Sequence, residues 1–166
     1  MLDPQHHPDL VTLAEEQGYE AMKGRLATAE WIAKQAEVTL TVLLAGIGGS
    51  LAFAVKLFEP GSSSLAWAAA GVCAWLSALA FWLVVSCLMV SPVPALYSEP
   101  KSWLERPGEE PLDARREMLV LLQERLADIF KRNETRATRL NWVRLLAVLT
   151  PLVFMGGLWA AARWAL

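Results

Sequence analysis

The sequence predicts an all-α integral membrane protein with three transmembrane helices, the first two forming an antiparallel hairpin, and two long cytosolic amphipathic helices that pair as a parallel helical stalk. Three observations carry this prediction. Residues 65–90 (LAWAAAGVCAWLSALAFWLVVSCLMV) contain no Asp, Glu, Lys, Arg or His. At a rise of 1.5 Å per residue such a run crosses a hydrocarbon core of ~30 Å, and a buried helix of a soluble protein rarely stays apolar on every face for so long. Two further apolar runs occupy 38–58 and 144–165, and each is preceded by a segment, 10–37 or 112–143, whose apolar residues recur at alternating spacings of three and four. That alternation is the heptad pattern of packed helices.

Composition sets the bounds. The 166 residues are 55% hydrophobic with a formal charge of -2, which suits one small membrane unit. Acidic and basic residues nearly cancel and no nucleic-acid-reading motif occurs, so no nucleic acid polymer is expected as a partner. Cys73 and Cys87 lie in the same span, too far apart for one helix to bridge, and read as small apolar fillers. The first thirty residues lack a basic start followed by an apolar core, so no cleavable signal peptide is expected.

Residues 1–9 form a polar, proline-punctuated tail expected to be poorly ordered, and its adjacent His6 and His7 lack acidic or thiol partners, so no metal site is expected. Asp9 after Pro8, or the capping box of Thr12 and Glu15, starts the first helix. Its heptad seam reads Tyr19, Met22, Leu26, Ala29, Ala33, Ala36 and Leu40, opposite Glu16, Glu20, Lys23, Lys34 and Glu37. Gly18 and Gly24 each weaken the helix by about 1 kcal/mol relative to alanine, so it needs a partner helix. No proline separates it from the first span, 38–58, in which Gly46 and Gly49 offer small faces and Lys56 snorkels toward the interface.

The Pro, Gly and Ser turn at 59–64 is short enough to force a hairpin. Trp67 then stands at interfacial depth. Within 65–90, Ala70, Ala74 and Ala78 form a small stripe suited to face Gly46 and Gly49, while Trp75 and Trp82 serve lipid contact or packing. The proline-rich connector 91–111 ends helical structure, and its Tyr97 and Trp103 fit either an interfacial elbow or ordinary packing.

Pro111 and Asp113 favour a helix start, and 112–143 carries regular heptads: Leu119, Leu126, Asn133 and Leu140 at one seam position, Leu122, Ile129, Arg136 and Val143 at the other. Asn133 and Arg136 interrupt the apolar seam. They act as register-setting polar residues or as contacts for a ligand or headgroups. In the third span, 144–165, Trp142 and Arg144 mark the entry and Trp159, Arg163 and Trp164 the exit; Pro151 should kink it, and Gly156 and Gly157 offer small faces beyond the kink. The small faces at Gly46, Gly49, Ala70, Ala74, Gly156 and Gly157 serve helix packing within one chain or between copies.

Candidate chemistry is sparse. No catalytic pairing, phosphate-cradling loop or metal cluster can be assembled, so neither an enzyme nor a cofactor is expected. The glycines at 46–49 lie inside an apolar run, not between a strand and a helix. The spans hold no Asp, Glu or His of the proton-relay kind. Arg132, Arg136 and Arg139 are the groups best suited to meet an anionic ligand, with a solvated positive face as the other reading.

The layout resembles the Pycsar transmembrane effector family, small three-span membrane effectors of bacterial antiphage defence, and more loosely the two-span effector domains associated with nucleotide second-messenger operons. The resemblance covers about 29–166 and rests on Trp31 and Ile32 with an alanine-rich step into span one, Ser91-Pro92 after span two, and a leucine-rich helix with Gln123, Leu126 and Ile129 leading into span three. The chain departs from the family pattern at Ala36 and Val38, where an aspartate and a lysine are expected, and near Asn133, where a lysine is expected. The resemblance implies an effector that homo-oligomerises and disrupts the inner membrane when a cyclic nucleotide signal arrives. The competing class is a non-catalytic membrane anchor whose stalk binds a partner protein.

Lysine and arginine cluster before span one and in the long segment before span three, while the 59–64 turn has none and the far end of span three has only Arg163. The positive-inside rule therefore places the amino terminus in the cytosol and the carboxyl terminus in the periplasm. A periplasm-active reporter fused after Leu166 should be active, and silence of a stably inserted fusion reverses the orientation.

Overall fold

The computed structural model describes residues 8–58, 64–89 and 111–164. The tail with His6 and His7, most of the turn between the first two spans, and the connector with Ser91, Pro92, Tyr97 and Trp103 lie outside the described residues. All regular structure described is helical: α1 (Pro8–Phe58), α2 (Ser64–Leu83) followed by a π-helical turn (Val84–Leu88), α3 (Pro111–Val148) and α4 (Thr150–Trp164). Two of these helices are long and apolar enough to cross a membrane, and three if the bent pair α3 and α4 counts as one span.

α1 is a single helix of 51 residues, because no proline falls between its first residue and Phe58 to remove an amide from the ladder. Its buried hydroxyls serve the same ladder. Thr39 donates to the Gln35 carbonyl at 2.8 Å and Ser50 to that of Ile47 at 3.0 Å, so polar atoms inside an apolar stretch stay paired.

The chain divides into two units, one of Met1–Glu30 with Ser91–Glu134 and one of Trp31–Val90 with Thr135–Leu166. The core of the second unit gathers Ile32, Ala36 and Leu43 of α1, Val72, Leu76, Leu79 and Leu83 of α2, and Leu140 and Val143 of α3. α1 and α2 are antiparallel: the Phe58 and Trp67 rings meet edge to face at 5.6 Å, and further along Leu76 packs on Gly46. A Cβ at Gly46 would lie 2.9 Å from the Leu76 Cδ1, and one at Gly157 of α4 would lie 3.2 Å from the Ala68 Cα. These two glycines are the holes that admit α2.

The small-residue stripe expected on α2 is not its packed face. Ala70 is half-buried and Ala74 exposed, whereas Ala66, Ala69, Val72, Leu76, Leu79 and Leu83 are buried. Gly49 and Gly156 are exposed with open space where a Cβ would stand, so neither packs within the chain. The hole at Gly46 is instead filled by a leucine, Leu76, and the one at Gly157 by the Ala68 backbone.

Two backbone irregularities punctuate the apolar helices. The α-ladder of α2 stops at Leu83 instead of continuing to 90, and the Met89 amide closes a wide turn by donating to the Val84 carbonyl at 2.9 Å. This turn leaves Cys87 buried with Leu83, where its thiol donates to the Arg136 carbonyl at 3.6 Å. The second is the kink expected at Pro151: α3 and α4 meet at Leu149 with a bend of 46°. Pro151 has no amide hydrogen for the Ala147 carbonyl, and the Thr150 hydroxyl takes over that acceptor at 2.6 Å.

Gly157 and its neighbour offer a matched test. Gly157→Val should destabilise the protein by ~1–3 kcal/mol through overpacking against Ala68, whereas Gly156→Ala should be neutral or slightly stabilising. Thermal unfolding of both variants in detergent checks this, and equal behaviour would refute the α2–α4 contact.

Candidate functional site

The first unit is a helix pair with polar layers. Contacts rise together along α1 and α3: Glu15 meets Arg115, Gly18 meets Leu122, and Arg25 meets Leu126, Phe130 and Asn133. The two segments therefore run parallel. Arg25 Nη1 donates to the Leu126 carbonyl at 2.8 Å and its guanidinium lies 5.0 Å from the Phe130 ring centroid, while Asn133 Nδ2 donates back to the Arg25 carbonyl at 3.0 Å. Each helix thus sends one side chain to the backbone of the other. A reciprocal clasp of this kind fixes axial register, because a slide of one residue breaks both bonds.

On α3 the expected seam and the buried face coincide. Leu119, Leu122, Leu126 and Ile129 are half-buried and Asn133 is buried. On α1 the phase differs from expectation. The covered positions are Val11, Glu15, Gly18, Met22, Arg25 and Ala29, while Tyr19 and Leu26 are exposed at 44% and 40%. Two heptad stripes share Met22 and Ala29, and the occupied one sets Gly18 under Leu122, whose Cδ2 lies 2.8 Å from where a glycine Cβ would stand. A phenol ring presented there in place of the glycine would collide with Leu122.

In the second unit the corresponding polar layer is Arg144. Its Nε donates to Thr39 Oγ1 at 3.0 Å, and its Nη2 donates to the Gln35 carbonyl at 3.2 Å and to Gln35 Oε1 at 2.7 Å. Sequence reasoning placed Arg144 at a span entry without its partners, which lie 105 and 109 positions away and leave no local signal.

The three arginines expected to meet a ligand all lie on α3, at spacings of four and three residues. Arg132 belongs to the first unit, Arg136 and Arg139 to the second. Arg132 and Arg139 are exposed and Arg136 is half-buried. Among the described residues no group of three or more His, Cys, Asp or Glu is placed to hold a metal. What the polar layers do is hold two helices in one register.

The outermost of these layers titrates. Arg115 Nε donates to Glu15 Oε1 at 2.8 Å, and this hydrogen bond, reinforced by the guanidinium charge, holds the Glu15 carboxyl below the usual carboxylate range. A depressed folded pKa contributes stability that is fully present above the unfolded value, ~4.3, and is lost as pH falls through the lower folded value. The difference in thermal midpoint between the native protein and Arg115→Gln should therefore be present at neutral pH and close as the solution is acidified through that window. A difference independent of pH would show that the ion pair contributes nothing.

No protein-family model, curated protein or solved structure matches the chain.

Proposed function

We propose that the protein is a non-catalytic inner-membrane effector of antiphage defence that homo-oligomerises and breaches the membrane when a cytosolic signal of the cyclic nucleotide class acts on the α1–α3 pair. The observation that carries this reading is the outer surface of the second unit. Large apolar side chains face outward on every helix there, with Val42 66% exposed on α1, Phe81 72% on α2, Val148 76% on α3 and Leu152 67% on α4. Surface of that kind is stable against lipid or another apolar partner, and costly against water at ~25 cal/mol per Å².

Several copies are needed for a conduction path. In the second unit the space between α1, α2 and α3 is filled by side chains, Leu83 and Val143 being fully buried, so the described residues of one chain enclose no channel there. Gly49, Ala74 and Gly156, unused within the chain, are available for close approach between copies. The trigger acts on register. A signal that favours one setting of the α1–α3 pair over another needs only a few kcal/mol of differential binding, which is the scale of a hydrogen-bonded clasp such as Arg25 with Asn133.

Inducing the protein with and without a phage infection, and following a membrane-impermeant DNA dye, tests the reading. Dye entry on infection is the expected result. Normal growth without dye entry in both conditions, with membrane insertion verified, would refute it in favour of an anchor that binds a partner protein.

A further inference from the structure

We propose that Arg144 and Gln35 form a binding site for a phosphate anion, supplied either by a lipid headgroup or by free phosphate. Arg144 is half-buried, and a guanidinium is a cation that only donates hydrogen bonds. All three of its described bonds go to neutral oxygens: Thr39 Oγ1, the Gln35 carbonyl and Gln35 Oε1. Among the described residues no carboxylate pairs with it; the described ion pairs join Lys23 to Glu20, Arg115 to Glu15 and Arg116 to Asp113. A half-buried cation solvated by dipoles alone still calls for a counter-ion.

The hydrogen bonds also determine which groups are left over. A guanidinium only donates, so the Gln35 amide must turn its oxygen toward Arg144 and its Nε2 away. The Nε–H and Nη2 are engaged, whereas Nη1 and Gln35 Nε2, each with two hydrogens, have no acceptor among the described residues. Donors left over on two hydrogen-bonded residues, beside a net positive charge, suit a ligand with several anionic oxygens such as a phosphate. Thr39 is not a competing acceptor to be freed, since its hydroxyl is held between Arg144 Nε and the Gln35 carbonyl.

The site also lies at a boundary in the sequence. Gln35 precedes the apolar run beginning at Val38, and Arg144 is the first residue of the span 144–165, two positions after the exposed Trp142. In a bilayer that boundary is the headgroup level. The headgroup source rests on the membrane reading proposed above, whereas the anion site itself does not.

The test uses the full chain in an uncharged detergent, titrated with phosphatidylglycerol, with phosphatidylcholine, and with inorganic phosphate against chloride at equal ionic strength, following the thermal midpoint. Gln35→Glu is the informative variant, because its carboxylate neutralises Arg144 internally while the fold is retained. Arg144→Lys keeps the charge and loses Nη1 together with the bonds that hold Gln35 and Thr39. Phosphatidylglycerol should stabilise the native chain more than phosphatidylcholine does, with half-saturation shifted about tenfold upward in Gln35→Glu and by a smaller factor in Arg144→Lys. If inorganic phosphate gives the same response and the same dependence on Gln35, and phosphatidylglycerol adds nothing, the site stands and its ligand is soluble phosphate. Responses to both anions that are equal in the native chain and Gln35→Glu would overturn the proposal. A chain that enters no vesicle but keeps the phosphate response would instead refute the membrane reading alone.

Discussion

An unpaired backbone amide or carbonyl in an apolar surrounding costs several kcal/mol, and this constraint governs the second unit from end to end. It explains why the apolar segments are helices. It also explains what happens where the α-ladder fails. At Pro151 the Thr150 hydroxyl covers the Ala147 carbonyl, and the Leu152 and Val153 amides both turn to Leu149. At the end of α2 the ladder widens to a π turn and still closes on Val84. Among described side chains the buried polar atom left without a partner is Trp75 Nε1, in the same core cluster as Leu146 and Ala147 beside the break.

Helix existence and length were legible in the sequence because they depend on patterns that only an uninterrupted helix satisfies. α1 runs without a break from the charged segment into the apolar one because nothing in 9–58 removes an amide. The α3 seam was legible for a related reason: its leucines outweigh every other stripe on that helix. The phase of the α1 seam was not. Two stripes overlap at Met22, Ala29 and Ala36, and hydrophobicity favours the one with Tyr19 and Leu26. Shape and hydrogen bonding favour the other, since only Gly18 admits Leu122 and only Arg25 reaches the Leu126 carbonyl.

The same limit applies to the small residues. Glycine and alanine at four-residue spacing mark faces that permit close approach, but the identity of the knob depends on the partner helix. Leu76 over Gly46 and the Ala68 backbone over Gly157 are tertiary facts. The reach of Arg144 to Gln35 and Thr39 is another, spanning more than a hundred positions with no local motif. The π turn has no sequence mark at all, because Val84, Val85 and Ser86 suit an α-helix equally well.

Polar layers in an otherwise apolar helix pair have a mechanical consequence. Contacts between methyl and methylene groups are non-directional, so an apolar seam tolerates small slides and rotations at little cost. A hydrogen bond is directional, and in the first unit four described bonds join parts of the chain 100, 101 and 108 positions apart. Together with Leu122 seated on Gly18 they select one setting of α1 against α3. Each bond contributes far less than the apolar contacts along the pair. A change of register would therefore break these clasps and also move Leu122 off Gly18, the position on α1 whose missing Cβ admits it.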